Sequence, residues 1–540
     1  MDAPSDPLPI DVNTLQSLVS DLQSVVGEQQ SQLNNLKSVL HNKENQLIKL
    51  QEQLNLKQQR LFGRSTEKLE VEQLEWDFFN EAELLAALAR LKQEKEPTST
   101  QIEAPTRRGR QKKPFPKKLR EIELIHDLSD DQKHCACGET LKHIGDDVSE
   151  QLAVIPLTYY VIKHIRRRYG CSCKQCLKSA SMPASVLPGT QASAQLIAHI
   201  MVSKYLDGLP LYRQEKIAAR SKIDLPRAKL ARWLIDSSQK YLQPIYNLIQ
   251  EAFWQYDIGH CDETRMQVLK EPERTPQNKS WLWLRRGGPP DKPVILVDYS
   301  PSRSGQVAGT LLDQFRGYLI CDAYSSYRSV AKENDLLLVY CNDHARRRFV
   351  DIVKSIGKEH DVKDIIATRA VAWYKPLYAL EKKIKHLSAE EKYRQRQQHA
   401  VAHWQKFLAW AQQLQNDGVQ HNATREALQY LLNHAVELQR YCDDGRLPMT
   451  NIRAEHVAKT IAVARKNFLF AVSVAGAKAS AMTYSILETA KLNGHHPFEY
   501  VTVLLNEAAQ AKTVEDYERL LPWNISPEQV RDLFKIYPAP

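Results

Sequence analysis

Apolar side chains return at every seventh position near the start of the chain. Val12, Val19, Val26, Leu33, Leu40, Leu47, Leu54 and Leu61 form one series, and Leu15, Leu22, Leu36 and Leu50 form its companion, broken only by Gln29 and Lys43. A seven-residue repeat keeps one stripe of a helix turned toward a partner helix, so it predicts a coiled coil and a homo-oligomer. The polar interruptions would set register at some cost in stability. Helical patterning runs on to about Lys95, which makes 1–95 a coiled coil and helical N-terminal region.

Two further changes of period follow. In 190–248 the helical stretch "LYRQEKIAAR" breaks at "SKIDL" and resumes after Pro226, a residue suited to a first helical turn. This predicts a helix-turn-helix whose second helix enters a DNA major groove, with Arg227, Lys229 and Arg232 as base-reading candidates. From 249 to 350 the pattern becomes strand-like in "YDIGHCDET", "SWLWLRR" and "PVILVDYS". It then alternates between helix and strand through "GQVAGTLLDQF", "GYLICDAYSSY" and "LLLVYCNDHARRRF". Three consecutive strands, then strands alternating with helices, predict a mixed sheet covered by helices.

Composition adds a partner and a metal. The chain carries 74 Lys+Arg against 64 Asp+Glu, a net charge of +10, with basic bursts in "TRRGRQKKPFPKK" and "HIRRRYG" that suit a polyanion. The Pro- and Thr-rich stretch 96–120 is read as a basic linker, in which Arg107, Arg108 and Arg110 could lie in a DNA minor groove. The N-terminus lacks a signal-peptide pattern and no apolar run is long enough to cross a bilayer, so a cytoplasmic protein is expected. Five of the nine cysteines fall at Cys135, Cys137, Cys171, Cys173 and Cys176. Paired thiolates separated by alternating strands predict a small zinc-binding unit over 121–185, with Cys135, Cys137, Cys173 and Cys176 as ligands and Cys171 as a rival for Cys173. Four sulfur ligands leave no open position, so one structural Zn2+ per chain is expected.

Acids at strand ends supply candidate chemistry. Asp262 and Asp322 each end an apolar strand, and Glu455 lies on a helix with Lys459 one turn further along the same face. Neighbouring carboxylates repel unless a cation lies between them, and hard divalent ions on oxygen ligands stabilise phosphoryl transfer. Glu263 and Thr264 are read as positioning residues, and Cys261, Cys321 and Cys341 as packing. Asp343 is a rival for the second acid, but Asp322 ends the strand expected next to the first. His344 and Arg347, just after a core strand, and Arg465 and Lys466, with Lys459, are candidate DNA contacts.

The ordered blocks "LFGRSTEKL", "CACGETL", "SKYLDGLPLYRQEKI", "CDET", "DYSPSRSG", "GYLICDAYSSY", "HARRRF", "AEHVAKTIAVARKNFLF" and "LLPWN" resemble the transposases of the insertion sequence 66 family, within the DDE class. The resemblance implies a ribonuclease H-like catalytic core, with its first part at 249–350, an α-helical insertion at 351–445, its last part at 446–505 and a C-terminal tail at 506–540. It also implies Asp262, Asp322 and Glu455 as a triad holding Mg2+ or Mn2+, DNA cleavage and strand transfer at element ends, and accessory proteins of the same element. Thr450 and Ile452 stand where the family usually has Asp and Asn, and Asn342 and Asp343 stand where it commonly has Trp and Ala. These departures leave a second reading, a catalytically decayed transposase acting as an end-binding or repressor protein.

Overall fold

In the computed structural model the described residues are 25–27, 29, 32, 157–170, 177–179, 184–355, 365–419 and 421–537. The expected zinc ligands Cys135, Cys137, Cys173 and Cys176, together with Cys171 and the linker arginines Arg107, Arg108 and Arg110, lie outside them, as does most of the heptad series. Residues 64–163 form a separate unit, of which 157–163 are described. The other unit holds all the described residues from 164 onward.

A short antiparallel pair, β1 (Arg168–Gly170) and β2 (Leu177–Ser179), flanks the 171–176 segment. Helices α1 (Ala194–Tyr205), α2 (Leu211–Arg220), α3 (Arg227–Ser237) and α4 (Gln243–Trp254) follow. Pro226 stands immediately before α3, and Lys222 turns the chain between α2 and α3 at φ 58°. The helix-turn-helix pattern therefore has its two helices at 211–220 and 227–237. These helices share the hydrophobic core of the sheet domain: Ile197, Ala198, Met201 and Trp233 are buried in it, and the Tyr205 hydroxyl pairs with Ser480 Oγ at 3.0 Å.

The sheet is built from β3 (Ile258–Lys270), β4 (Lys279–Gly287) and β5 (Val294–Ser300), then β6 (Gly317–Cys321) and β7 (Leu336–Tyr340). Its order is β5-β4-β3-β6-β7. The first three strands pair antiparallel, while β6 joins β3, and β7 joins β6, in parallel. The parallel joins need crossovers, and these are α5 (Gly305–Leu312) and α6 (Ser325–Glu333). Gly317 opens β6 at φ +109°, where a Cβ would lie 2.3 Å from the Asp257 carbonyl oxygen. Only glycine lets the two backbones approach there.

Beyond β7 come α7 (Asn342–Ser355) and the helices of the predicted insertion: α8 (Ile366–Ile384), α9 (Ala389–Gln395), α10 (Val401–Asp417), α11 (Asn422–Asn433) and α12 (Ala435–Gln439). Trp373, Tyr374, Trp404, Phe407 and Trp410 stack along the inner faces of α8 and α10. The chain returns to the sheet through α13 (Ile452–Phe468), and β8 (Ala471–Ser473) pairs in parallel with the far end of β3. Then α14 (Val474–Leu492) lies along the outer edge of β5. The Val297 N–H donates to Ser485 Oγ (2.8 Å) and the Ile295 N–H to Thr489 Oγ1 (3.0 Å). Helix hydroxyls thus occupy donors that an edge strand would otherwise leave open for another chain. Finally α15 (Pro497–Ala508), α16 (Val514–Glu518) and α17 (Pro527–Ile536) complete the fold. The residues read as a tail are part of the core: Leu520, Leu521 and Val530 are buried, and the Tyr500 hydroxyl donates to the Leu520 carbonyl at 2.7 Å.

Candidate active site

Asp262 sits midway along β3, Asp322 follows β6, its parallel neighbour, and Glu455 lies in the first turn of α13. Helix α13 packs against β3, and the charges of Glu455 and Asp322 both act on Asp262, so the acids gather beside the middle of β3. Contrary to the sequence expectation, this strand does not end on Asp262 but runs on to Lys270, because the residues after it pair with β4 and β8. Burial pushes the Asp262 carboxyl up to about 8, reinforced by the negative charges of Glu263, Glu455 and Asp322. One backbone hydrogen bond, from the Glu263 N–H to Asp262 Oδ1 at 2.8 Å, opposes the shift. Such a cluster resists collecting its full charge until a cation arrives. Oxygen donors gathered under mutual repulsion fit a hard dication such as Mg2+.

The neighbouring Glu263 has a different task. Its side chain is 1% exposed, accepts from Arg303 Nη2 at 2.9 Å and receives the Tyr327 hydroxyl. Arg303 stacks on Tyr324 with 3.8 Å from its guanidinium carbon to the ring centroid, and lies 3.8 Å from Asp322. Asp322 Oδ1 accepts from the Tyr324 N–H at 3.1 Å. Nothing in the local sequence singles out Arg303, although it lies inside the block "DYSPSRSG". An arginine two residues before a helix gives no local sign of pairing with a buried glutamate 40 residues away.

Asp343 has a different partner. It lies in the first turn of α7, beyond the strand next to β3, and its buried carboxylate receives the Tyr378 hydroxyl from the insertion. Burial raises its pKa, and the charge of Glu455 raises it further against the opposing Tyr378 hydroxyl and Arg347 and Arg346. His344 comes closer, with Nδ1 3.6 Å from Glu455 Oε1.

Asn451, just before α13, holds the helix to the strand. It is 1% exposed; its Nδ2 donates to the Cys261 carbonyl (2.8 Å), its Oδ1 pairs with His260 Nδ1 (2.9 Å), and its backbone N–H donates to Cys341 Sγ (3.2 Å). Burial lowers the His260 pKa to about 3, so its ring is neutral. These links connect the residues beside Asp262 to the residue four before Glu455. In the sequence Asn451 stands out only as the unchanged member of an altered triplet.

The candidate DNA contacts fall in three places. A cleft of about 470 Å³ beside Asp322 is lined by Arg303, Tyr324, His344, Arg347, Arg348 and Tyr430, among others. On the α13 flank, Lys459 and Lys466 are exposed, and Arg465 is half-buried with its pKa lowered by burial and by Arg265. Arg286, nearby on β4, is lowered to about 10 by burial and by Arg453. Cations that repel one another on one flank favour a polyanion over it. On α3, Arg227 and Arg232 are exposed, and Lys229 lies over the Trp233 ring at 5.2 Å. Among the described residues, no helix is long and apolar enough to cross a membrane.

Comparison with known families agrees with this architecture. The model of the transposase IS66 family matches residues 189–479, and the IS66 C-terminal element matches 485–523. The zinc-finger binding domain of transposase IS66 matches 132–174, a span that includes Cys135, Cys137, Cys171 and Cys173 and ends before Cys176. A model described as transposase C of IS166 homeodomain matches 49–124. Among relatives, the uncharacterized protein y4jD of Sinorhizobium fredii (strain NBRC 101917 / NGR234) is 32% identical over 430 residues, covering 77% of this chain and 82% of its own. The uncharacterized protein y4qI of the same organism is 30% identical over 439 residues, 79% of each chain. A mixed sheet with acids gathered beside its central strands, together with matches over most of its length, makes this chain a member of the IS66 transposase family.

Proposed function

We propose that the protein is an active DDE transposase that binds the ends of an insertion sequence and carries out strand cleavage and strand transfer, with Asp262, Asp322 and Glu455 as the metal-binding triad. The observation that carries this reading is the convergence of three carboxylates from β3, β6 and α13, with Asp262 raised to about 8 by burial and by its acidic neighbours. A decayed end-binding protein would have no use for that electrostatic cost. A divalent ion on these oxygens would polarise the scissile phosphodiester and activate the attacking hydroxyl, first of water and then of the freed 3′ end.

The chain's own residues do the rest. Asn451 sets the spacing between the strand and the Glu455 helix. Glu263 holds Arg303 beside Asp322, where its guanidinium can meet a phosphate oxygen. Arg347 and Arg348 line the same cleft, while Lys459, Arg465 and Lys466 offer a second set of phosphate contacts. Arg227, Lys229 and Arg232 are proposed to read the element end. One structural zinc on the N-terminal cysteines and a homo-oligomer through the heptads complete the assembly, with accessory proteins of the element as further partners.

The test is cleavage of a labelled element end with Mg2+. Asp262→Asn, Asp322→Asn and Glu455→Gln should each abolish cleavage and joining while end binding persists. Full activity in Asp322→Asn together with its loss in Asp343→Asn would overturn the assignment of the second acid. Retained cleavage in all three triad variants would overturn the catalytic reading.

A further inference from the structure

Glu455 faces two sets of neighbours. Its charge acts on Asp262, and Cys341 Sγ lies 3.5 Å and His344 Nδ1 3.6 Å from one of its oxygens, Oε1. One ligand atom from each of Cys341, His344 and Glu455 falls within 4.8 Å of the others. We infer that Cys341, His344 and Glu455 form a second metal site, for a zinc-like cation, which shares the Glu455 carboxylate with the triad and withdraws it when filled. The withdrawal rests on the catalytic reading of Glu455; the site itself does not.

Two of the three spacings match those of a tetrahedral zinc site. With Zn–S about 2.3 Å and Zn–O and Zn–N about 2.0–2.1 Å, tetrahedral angles put sulfur and oxygen about 3.6 Å apart and nitrogen and oxygen about 3.4 Å apart. The observed 3.5 and 3.6 Å need only small adjustments to receive an ion between them. His344 Nδ1 is buried without a hydrogen-bond partner, a state that a metal bond would relieve. The sulfur is fully buried, and burial together with Asp343 and Glu455 pushes its thiol well above the usual range; two amide donors oppose this, the Asn451 N–H at 3.2 Å and the His344 N–H. A bound cation would displace the thiol proton to solvent as the sulfur–metal bond forms, and the same amides would then stabilise the thiolate.

The chemistry separates this site from the triad. A thiolate and an imidazole prefer zinc-like ions, whereas all-oxygen ligands suit magnesium. Glu455 can serve only one arrangement well at a time. A zinc-like ion would therefore act as a brake on magnesium-dependent cleavage.

The experiment uses the full chain, first saturated with zinc at its N-terminal cysteines and freed of excess, then titrated with Co2+. The parent should take up about one further equivalent and show a thiolate-to-cobalt charge-transfer band. That band should be absent from the Cys341→Ser difference spectrum and unchanged in Cys442→Ser, a buried free cysteine elsewhere in the fold. His344→Ala, on a helix surface, should weaken cobalt binding at least tenfold and raise by a similar factor the zinc concentration that halves each variant's own cleavage rate. Identical cobalt spectra in the parent and Cys341→Ser would overturn the site, as would unchanged affinity in His344→Ala. A correct cobalt spectrum in a protein that never cleaves DNA would leave the site standing and overturn the catalytic reading instead.

Discussion

Replacing Asn451 by alanine should loosen the joint between β3 and α13. The side chain has two partners, the Cys261 carbonyl at 2.8 Å and His260 Nδ1 at 2.9 Å, and neither side of the joint is open to water: Asn451 is 1% and His260 3% exposed. Its side chain makes no capping hydrogen bond to the helix, and its backbone bond to Cys341 survives the substitution, so neither enters the loss. Two buried polar groups left unpaired cost about 1–3 kcal/mol each, or roughly 2–5 kcal/mol together, part of which a trapped water could recover. His260 cannot escape by taking a charge, because burial holds its pKa near 3. Urea unfolding followed by circular dichroism, with parent and variant compared in the same buffer, measures the loss. Asn451→Asp should lose at least as much, since it buries a carboxylate whose oxygen faces the Cys261 carbonyl while His260 stays neutral. Cleavage should fall in both variants, because slack between Asp262 and Glu455 spoils a shared site. A stability loss below about 1 kcal/mol in Asn451→Ala would refute the joint, since even one unpaired buried group should cost that much.

Three other expectations follow from the same structure. Asp298→Ala should cost roughly 3–5 kcal/mol in chemical unfolding, because Arg285, 1% exposed and 2.9 Å from Asp298, would keep a buried charge without its partner. The double change Arg285→Met with Asp298→Leu should recover most of that loss. Alanine at Arg227, Lys229 and Arg232 together should narrow the affinity gap between the element end and scrambled DNA, by about 1–3 kcal/mol for each base-reading side chain removed; binding isotherms at two salt concentrations would show it, and an unchanged gap would remove α3 from recognition. Deleting residues 1–60 should lower the oligomeric state in light scattering, since it removes nearly the whole heptad seam, and an unchanged mass would locate assembly elsewhere.

Much of this molecule could be read from local pattern. Alternation in "YDIGHCDET", "SWLWLRR" and "PVILVDYS" became β3, β4 and β5, and the helix–strand alternation after them became the parallel side of the sheet. Asp322 follows β6 directly, as an apolar strand ending on an acid predicted, whereas β3 runs on past Asp262 to Lys270, where it pairs with β8. Glu455 and Lys459 share α13, as the helical period implied. The two helices α2 and α3 were also legible, through Pro226 and the break before it.

Other features depended on which segments meet in space. Asn451 touches Cys261 and His260 across 190 and 191 residues, Ser485 and Thr489 reach the β5 edge across 188 and 194, and Tyr205 meets Ser480 across 275. No period in the chain encodes such pairs, and so 190–248 and 506–540 read as a separate domain and a tail although they share the sheet's core. The same holds for Glu263 and Asp343. Each is an acid beside a candidate ligand, and its partner, Arg303 in one case and Tyr378 in the other, determines its role. Local periodicity records which side of a segment avoids water. The partner of a buried polar group is chosen only when the whole chain folds, because its free energy depends on a hydrogen bond from elsewhere in the structure.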